Sequence, residues 1–229
     1  SIDVKLEIDY PDLWWPNGLG DQKLYQIDCS LTHNDYGVQT ISRKVGLRTI
    51  ELVQNKDSLG KSFYFKVNGL PVFMKGANYI PMQILGNDVD TNRYERLIND
   101  VAESNMNMLR VWGGGIYEHD IFYDLCDETG IHVWQDFMFA NGMYPADSFM
   151  LKNIESEASE QIKRLRNHPS IALFCGNNEI AEAWANWGWK NNYTQEQQNL
   201  MQNDYDKIFH QLLPKCVENH SDGISYWPS

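Results

Sequence analysis

The chain has 229 residues, and its 19 lysines and arginines against 31 aspartates and glutamates give a formal net charge of −12. With 42% hydrophobic and 13% aromatic residues it carries enough apolar mass for a packed core, which excludes a disordered protein. The acidic balance, without a cluster of basic residues, argues against nucleic acid as a partner because phosphates need a positive surface. No apolar run approaches the roughly 20 residues of a membrane span.

The spacing of cysteines and histidines gives no sign of a disulfide framework or a metal centre. The cysteines lie far apart and form no CxxC pair, so we expect free, buried thiols; they are Cys29, Cys126, Cys175 and Cys216. The six histidines form no HxxxH or HxH pair, which argues against a metal cage. We therefore expect neither a metal nor another cofactor.

Residues 1–67 are predicted to form short strands. In VKLEI, residues 4–8, apolar and polar residues alternate, which predicts a half-buried strand. The segment 11–22 is rich in Pro, Gly, Asn and Asp and predicts a loop. Further strands are predicted over 24–31, 38–45 and 47–53, with a turn at 33–37. This spacing is typical of an antiparallel sandwich, but the strands are fewer than the roughly seven of an immunoglobulin-like domain.

A β-hairpin is the strongest local signal. Asn68-Gly69 separates FYFKV, residues 63–67, from LPVFMKG, residues 70–76, and suits the two positive-φ positions of a type I′ turn. After the hairpin, apolar strands alternate with amphipathic helices, which predicts parallel βα units. Besides the strand that ends the hairpin, strands are predicted over 106–112, 131–137, 170–176 and 224–227.

The helices between these strands are predicted from apolar spacing and end signals. One begins at about Thr91, and a second, over 118–129, ends at Gly130, a typical C′ position. The apolar face of a third consists of Ile154, Ala158, Ile162 and Leu165. A fourth begins at a capping box formed by Thr194 and Gln197. Its apolar residues are Leu200, Tyr205, Ile208, Phe209 and Leu212.

This alternating pattern leaves two α/β architectures open. A doubly wound open sheet of five strands would be complete with the predicted elements. A (β/α)8 TIM barrel needs eight strands and about 250 residues, and only about 160 residues follow the hairpin. The count alone favours the open sheet.

Polar side chains follow the predicted parallel strands at their carboxyl ends, where α/β active sites lie. They are Asn78, the WGGG segment 112–115, Asp136 and the GNNE segment 176–179, followed by Trp184, Trp187 and Trp189. Taken singly, each has a structural explanation, such as a core tryptophan, a loop cap or a hydrogen-bond acceptor. Their convergence favours a carbohydrate site, because indole faces pack on sugar C–H groups while carboxylates and amides bind hydroxyls.

Other chemistries fit the sequence less well. The glycines at 113–115 occupy a strand-to-helix turn, as phosphate loops do, but the Gly-rich pattern with its lysine is missing. The GKS at 60–62 lacks the glycine that a P-loop has five positions earlier. The chain also contains no GxSxG nucleophile elbow. These absences argue against phosphate binding and serine-hydrolase chemistry.

The segment 164–179, RLRNHPSIALFCGNNE, resembles the signature of glycoside hydrolase family 2, in which an Asn-Glu pair follows strand four of the barrel. Within that family, the segment 110–140 is similar to the β-mannosidases in particular, and 14–25 and 69–81 match as well. The chain departs from the wider family at 174–175, where Phe-Cys stands in place of a common Trp.

The resemblance implies a sandwich domain followed by a (β/α)8 barrel, and it overrides the strand count. We therefore expect a fragment of a longer protein. Residues 1–67 would be part of the immunoglobulin-like β-sandwich, and 68–229 would be a partial barrel of about four βα units and the start of strand five. The nucleophile of the family, a glutamate on strand seven, would lie outside the fragment, which we expect to be inactive by itself.

The resemblance also implies a retaining exo-glycosidase that hydrolyses terminal β-D-mannosides. Glu179 matches the general acid/base, and Asn178 matches the residue that binds the sugar 2-OH. Trp112 matches a wall of the terminal-sugar pocket, and Trp187 a rim aromatic near the leaving group.

Two further residues, Asp136 and Asn78, are assigned to sugar hydroxyls. The expected partner is a β-mannoside or a related oligosaccharide. Another family 2 activity, such as β-galactosidase or β-glucosaminidase, and a non-catalytic carbohydrate-binding domain remain alternatives. The sequence does not indicate an oligomeric state. Relatives of this kind suggest a secreted, periplasmic or lysosomal location.

Overall fold

The structure is a computed structural model that describes residues 4–33, 37–82 and 90–229. Its first part is antiparallel. Strand β1 (Tyr25–His33) pairs with β2 (Gly37–Val45) along its whole length, and part of the predicted turn between them lies outside the described residues. A three-stranded sheet follows, made of β3 (Ile50–Val53), β4 (Tyr64–Val67) and β5 (Leu70–Val72) in that order.

The predicted hairpin is confirmed in β4 and β5. Its turn residues Asn68 and Gly69 have φ angles of 50° and 81°, which are the two positive angles that a type I′ turn requires. Asn68 also fixes the hairpin to the preceding chain, because its side-chain oxygen accepts from the Thr49 backbone N–H at 2.9 Å.

The strand predicted over 4–8 is wrong. Within the described parts of the chain the segment pairs with no strand, and Val4 and Leu6 are 73% and 65% exposed. Alternation of apolar and polar residues defines a strand face, but a strand forms only when a neighbour satisfies its backbone hydrogen bonds.

The β1–β2 ribbon has two unlike faces. One face is polar and carries side-chain hydrogen bonds such as that between Ser30 and Thr40 at 2.8 Å. The other carries Cys29 opposite Ile41, and Ile41 and Leu31 are 59% and 68% exposed. Cys29 is an exposed free thiol, so its predicted burial is wrong, whereas the other three cysteines are buried and free, as predicted.

Five parallel strands form the main sheet. The first four strands and the helices between them are, in chain order, β6 (Gly76–Tyr79), α1 (Thr91–Glu103), β7 (Met108–Val111), α2 (Asp120–Thr129), β8 (His132–Asp136), α3 (Ser148–Leu165) and β9 (Ile171–Cys175). The fifth strand, β10 (Ser225–Trp227), follows a longer helical segment. Each strand pairs with the next one in the chain, in the order β6-β7-β8-β9-β10. A doubly wound sheet requires a point at which the strand order reverses, and the order of the described strands contains no such point. The doubly wound sheet that the strand count favoured is therefore wrong.

The helices cover one face of this sheet as their apolar spacing predicted. The four predicted face residues of α3 are all buried; they are Ile154, Ala158, Ile162 and Leu165. Helix α2 ends at Gly130, whose φ of 77° is left-handed, as predicted for C′. None of the helices in the described residues has the length and apolar character of a bilayer span.

After β9 the chain forms α4 (Ile180–Asn186), a short 3₁₀ segment (Trp189–Asn192), α5 (Gln195–Tyr205), a π-helical segment (Asp206–Leu212) and α6 (Leu213–His220). The predicted capping box of Thr194 and Gln197 is present. The helix predicted after this box is confirmed, since the chain is helical without interruption over 195–220, although Asp206–Leu212 is π-helical. Of its predicted apolar residues, Leu200 is 61% exposed. Pro214 gives a physical reason for the π-helical stretch, because proline lacks an N–H and clashes with the preceding turn of an α-helix.

The loop over 11–22 fastens the first part of the chain to the helices. Trp14 is fully buried and its indole N–H donates to the Asp127 carbonyl at 2.7 Å. The Asn17 amide donates to the carbonyls of Ala102 and Met106, both at 2.9 Å. These carbonyls lie near the carboxyl ends of α2 and α1, where the last backbone carbonyls of a helix have no N–H donor within the helix. The loop therefore caps both helices.

The three-stranded sheet packs on the other face of the parallel strands. Phe65 of β4 forms a small core with Met108, Ala172 and Leu173. Next to this core, the Phe63 ring lies 5.8 Å from that of Trp134 and 5.0 Å from that of Trp227.

Candidate active site

Arg110 of β7 joins the polar groups at three neighbouring strand ends. Its guanidinium donates to the two carboxylate oxygens of Asp136 at 3.2 and 2.8 Å. It also donates to the side-chain oxygen of Asn178 at 3.0 Å and to that of Asn78 at 3.4 Å. The structure therefore brings together three of the predicted site residues, since Asn78, Asp136 and Asn178 share one cation.

Asp136 is the buried anion of this network. Its side chain has no exposed surface, and besides Arg110 it accepts from the Gly113 backbone N–H at 3.0 Å and the Trp134 indole at 2.9 Å. Burial raises the pKa of this carboxyl above its usual value, and the bonds from Arg110 oppose that rise. A buried carboxylate with all these donors is a rigid part of the site.

The turn after β9 is built for one geometry. A Cβ on Gly176 would come within 2.5 Å of the Pro228 backbone carbonyl oxygen and 2.3 Å of the Tyr226 hydroxyl, so a larger residue would have to move the backbone. The Asn177 side chain is buried; it donates to the Pro228 carbonyl at 2.8 Å and accepts from the Ile180 backbone N–H at 3.0 Å. Sequence reasoning missed this role of Asn177, which is to anchor the turn that presents the next two residues.

Asn178 and Glu179 are presented differently by this turn. Asn178 is buried, and its backbone N–H donates to the Phe139 carbonyl at 2.9 Å. Its side-chain amide donates to the Glu179 carboxylate at 3.3 Å. Glu179 is exposed and has a φ of 59°, a left-handed backbone that is uncommon outside glycine. Such strained positions cluster at functional sites, because the surroundings must hold them in place.

Trp112 stands at the end of β7, and the glycines after it explain its position. Its backbone N–H donates to the Tyr79 carbonyl at the end of β6, at 3.2 Å. A Cβ on Gly114 would lie 2.1 Å from the indole ring, so the ring folds back over its own loop. A Cβ on Gly113 would meet the Phe137 carbonyl oxygen at 2.7 Å. The WGGG segment is thus a packing motif that fixes Trp112.

Trp187 is at the carboxyl end of α4 and is 55% exposed. In the part of the chain that the structure describes, no hydrogen bond or ring contact joins its side chain to the Arg110 network. Trp184 packs against Tyr193 instead, with ring centroids 6.1 Å apart. Trp187 therefore remains a prediction as a rim residue.

Arg110 is the central residue that sequence reasoning missed. The residues predicted for the site follow strand ends, whereas Arg110 lies within a strand. The signal was present, because an arginine in the apolar run MNMLRVW would sit on a buried strand. A buried charge demands a partner of opposite sign nearby.

Asp124 and Asp127 of α2 and His168, in the segment that leads into β9, form a second polar cluster. The ligand atoms of Asp124, Asp127 and His168 come within 4.8 Å of one another, a spacing that could hold a metal ion. His168 already bonds to Asp127 at 2.6 Å through its Nδ1 atom. The other Asp127 oxygen accepts from the Ser170 backbone N–H at 3.0 Å. These bonds give the cluster a structural role in holding the segment that enters β9.

Comparisons with known proteins identify related sequences and folds. The sequence profile of glycosyl hydrolases family 2 matches residues 1–48. Beta-mannosidase B of Aspergillus terreus is 41% identical over 228 residues, which is 98% of this chain and 27% of the relative. Over nearly its whole length the chain is therefore similar to members of glycosyl hydrolase family 2.

Within this family the chain is β-mannosidase-like, which confirms the resemblance found in the sequence. A crystal structure of β-D-mannosidase from Dictyoglomus thermophilum matches with a TM-score of 0.89 and 43% identity, over 98% of this chain and 27% of that chain. An exo-chitosanase of Amycolatopsis orientalis matches over 74% of this chain and 20% of its own, with a TM-score of 0.64 and 23% identity, and shares the fold alone. The chain spans about a quarter of the length of the β-mannosidases it matches.

Proposed function

We propose that the protein containing this chain hydrolyses terminal β-D-mannosides with retention of configuration, and that Glu179 is its general acid/base. The β-mannosidase names of the relatives support the substrate class. The observation that carries the residue assignment is the exposed Glu179 carboxylate beside Asn178, whose other side is held by Arg110.

The chemistry follows from what these groups can do. An exposed carboxyl at the strand-end edge reaches a glycosidic oxygen, donates its proton to the departing sugar and later removes one from water. Asn178 offers an amide that binds the 2-OH of the terminal sugar, and Arg110 fixes which way the amide faces. Trp112 supplies an apolar wall and Asn78 orients a further hydroxyl. Asp136, whose side chain is fully buried, acts by holding Arg110 in place rather than by binding a hydroxyl as the sequence predicted.

The architecture we propose is part of a (β/α)8 barrel over 68–229, preceded by part of an immunoglobulin-like sandwich over 1–67. The sequential order of five parallel strands supports the barrel, since each βα unit of a barrel adds beside the one before it. The exposed apolar face of the β1–β2 ribbon supports the sandwich, since such a face packs against a second sheet.

A retaining mechanism needs a second carboxyl about 5–5.5 Å from the first. We assign this nucleophile to a glutamate on a later barrel strand, outside the chain, and propose that the chain alone is inactive. A secreted, periplasmic or lysosomal location belongs to the same proposal.

The test is Glu179→Ala in the full-length protein, assayed on an aryl β-mannoside. We expect turnover to collapse after the first step, because the intermediate lacks its base, and azide to restore it as a nucleophile that needs no base. Glu182→Ala, an exposed glutamate in the first turn of α4, is the matched control. Unchanged turnover in Glu179→Ala would remove this residue from the mechanism.

A panel of aryl glycosides tests the substrate class with the same protein. We expect β-mannoside to give the highest kcat/KM. A higher value for β-galactoside or β-glucosaminide would replace the substrate while keeping the mechanism. No turnover of any glycoside would favour a carbohydrate-binding function instead.

A further inference from the structure

The turn over 176–179 is tied to two elements that follow it in the chain. The buried Asn177 side chain donates to the Pro228 carbonyl and accepts from the Ser229 hydroxyl, both at 2.8 Å and both just beyond the end of β10. It also donates to the Tyr205 hydroxyl, at the end of α5, at 3.3 Å. The position of the turn therefore depends on where α5 and the end of β10 lie.

The π-helical segment Asp206–Leu212 continues from Tyr205 and packs beneath the same turn. The ring of its Phe209 lies 4.8 Å from that of Tyr205 and 5.3 Å from that of Phe139. The Phe139 carbonyl in turn accepts from the Asn178 backbone N–H at 2.9 Å. Phe209 is only 1% exposed, so in a close-packed interior a shift of its ring must move these neighbours.

The register of the π-helical segment leaves one carbonyl without a helical donor. The Leu213 N–H donates to the Ile208 carbonyl, one residue further back than its α-helical partner Phe209. In the π register the donor to the Phe209 carbonyl would be residue 214, a proline, which has no N–H. A carbonyl in such a buried position needs a donor from outside the helix.

Tyr226 of β10 supplies that donor. Its hydroxyl donates to the Phe209 carbonyl at 2.7 Å, and it lies against the turn, since a Cβ on Gly176 would come within 2.3 Å of it. Without this hydroxyl the carbonyl would be satisfied by the α-helical register, through the Leu213 N–H. An α-helix turns by about 100° per residue, so a change of register by one residue would turn Tyr205 relative to Leu213.

We propose that Tyr226 is a positioning residue for Glu179, because its hydroxyl holds the π-helical segment in the register that aims the turn. Within the described part of the chain the Glu179 carboxylate has one hydrogen bond, from the Asn178 amide at 3.3 Å, so the backbone of the turn decides where it points. The proposal rests on the proposed function and adds a residue that touches neither the sugar nor the reacting atoms. It also gives the π-helical segment a role, as such stretches often have at functional sites.

The experiment compares kcat/KM for two β-mannosides of the full-length protein, one with a phenyl and one with a dinitrophenyl leaving group. Phenoxide needs a proton from the general acid as it departs, whereas dinitrophenolate is a weak enough base to depart without one. Misplacing the acid should therefore slow the phenyl substrate selectively. We expect Tyr226→Phe to lower kcat/KM for the phenyl mannoside at least about tenfold and to change the dinitrophenyl value less than about twofold.

Tyr94→Phe is the matched control. Tyr94 of α1 is also a buried tyrosine whose hydroxyl donates to one acceptor, the Glu118 carboxylate. Its loss should lower the stability of the fold but leave the ratio of the two kcat/KM values unchanged. A merely structural role of Tyr226 would give the same result as this control, since a smaller folded fraction slows both substrates equally.

The outcomes separate this proposal from the proposed function. An equal loss on both substrates, or no loss, in a folded Tyr226→Phe would overturn the positioning role and leave the proposed function intact. If Tyr226→Phe does not fold, Tyr205→Phe, which removes the hydroxyl that Asn177 bonds to, replaces it with the same criterion. If Glu179→Ala itself shows no greater loss on the phenyl than on the dinitrophenyl substrate, the acid/base assignment fails and the positioning role with it.

Discussion

Replacing Arg110 with methionine is the most informative perturbation of the site. The substitution leaves Asp136, whose side chain is 0% exposed, with the donors Gly113 and Trp134 but without its cation. Removing one partner of a buried ion pair costs about 3–5 kcal/mol. Because the Arg110 side chain is 23% exposed and water reaches it, we expect the lower end, about 3 kcal/mol.

The loss should depend on pH. Burial already raises the pKa of Asp136, and Arg110 opposes the rise, so the Met variant has a higher Asp136 pKa than the wild type. Above that pKa the variant holds an unpaired buried charge, whereas below it the carboxyl is protonated and neutral. The loss of unfolding free energy should therefore be largest near neutral pH and should shrink as the solution is acidified.

Thermal unfolding of the full-length protein measures this loss. For a cooperative unit of about 150–250 residues, 3 kcal/mol corresponds to a fall in Tm of about 6–12 °C. The double variant Arg110→Met, Asp136→Asn removes the stranded charge and should recover part of the fall. A fall of less than about 2 °C, the same fall at pH 5 and pH 8, or a double variant less stable than Arg110→Met would refute the reasoning.

Two further predictions concern a glycine and a histidine. Gly114→Ala places a Cβ 2.1 Å from the Trp112 ring, so it should displace that ring and raise KM for an aryl β-mannoside several-fold. Gly60→Ala, whose Cβ would face open space, is the control and should leave KM unchanged. Equal KM values for the two variants would contradict the assigned role of Trp112. Burial lowers the pKa of His132 to about 3. Its neutral form is thus favoured in the fold, and the free energy of unfolding should decline from pH 6.5 downward by at most about 1.4 kcal/mol per pH unit. His132→Gln should flatten this slope in thermal unfolding, and an unchanged slope would show that another group is responsible.

The regular elements were predictable where a local pattern and a tertiary requirement agree. The α3 face, the Asn68-Gly69 turn and the Gly130 C′ position are all confirmed, because each depends on residues close in sequence. The strand over 4–8 was wrong because its apolar face has no partner to pack on in the described residues. The helix after Thr194 is confirmed, but its π-helical stretch was not predictable from apolar spacing, because spacing does not report how Pro214 disturbs the α-helical hydrogen bonds.

The site was predictable from strand ends but not from their connections. The meeting of Asn78, Asp136 and Asn178 was predictable because parallel strands bring their carboxyl ends to one edge of the sheet. Arg110, which joins them, acts across strands that are 26 and 68 residues away in the chain for Asp136 and Asn178. No local spacing reports such a contact, so only the charge inside an apolar strand pointed to it.

The left-handed backbone of Glu179 has a consequence for anyone who engineers this protein. An L-residue in that conformation costs roughly 1–2 kcal/mol, and glycine would be relieved of the strain. A screen that rewards heat resistance alone would therefore enrich glycine at position 179 and, on the proposed mechanism, discard turnover. Libraries for thermostable variants should hold this codon constant and look for gains in the surface loops.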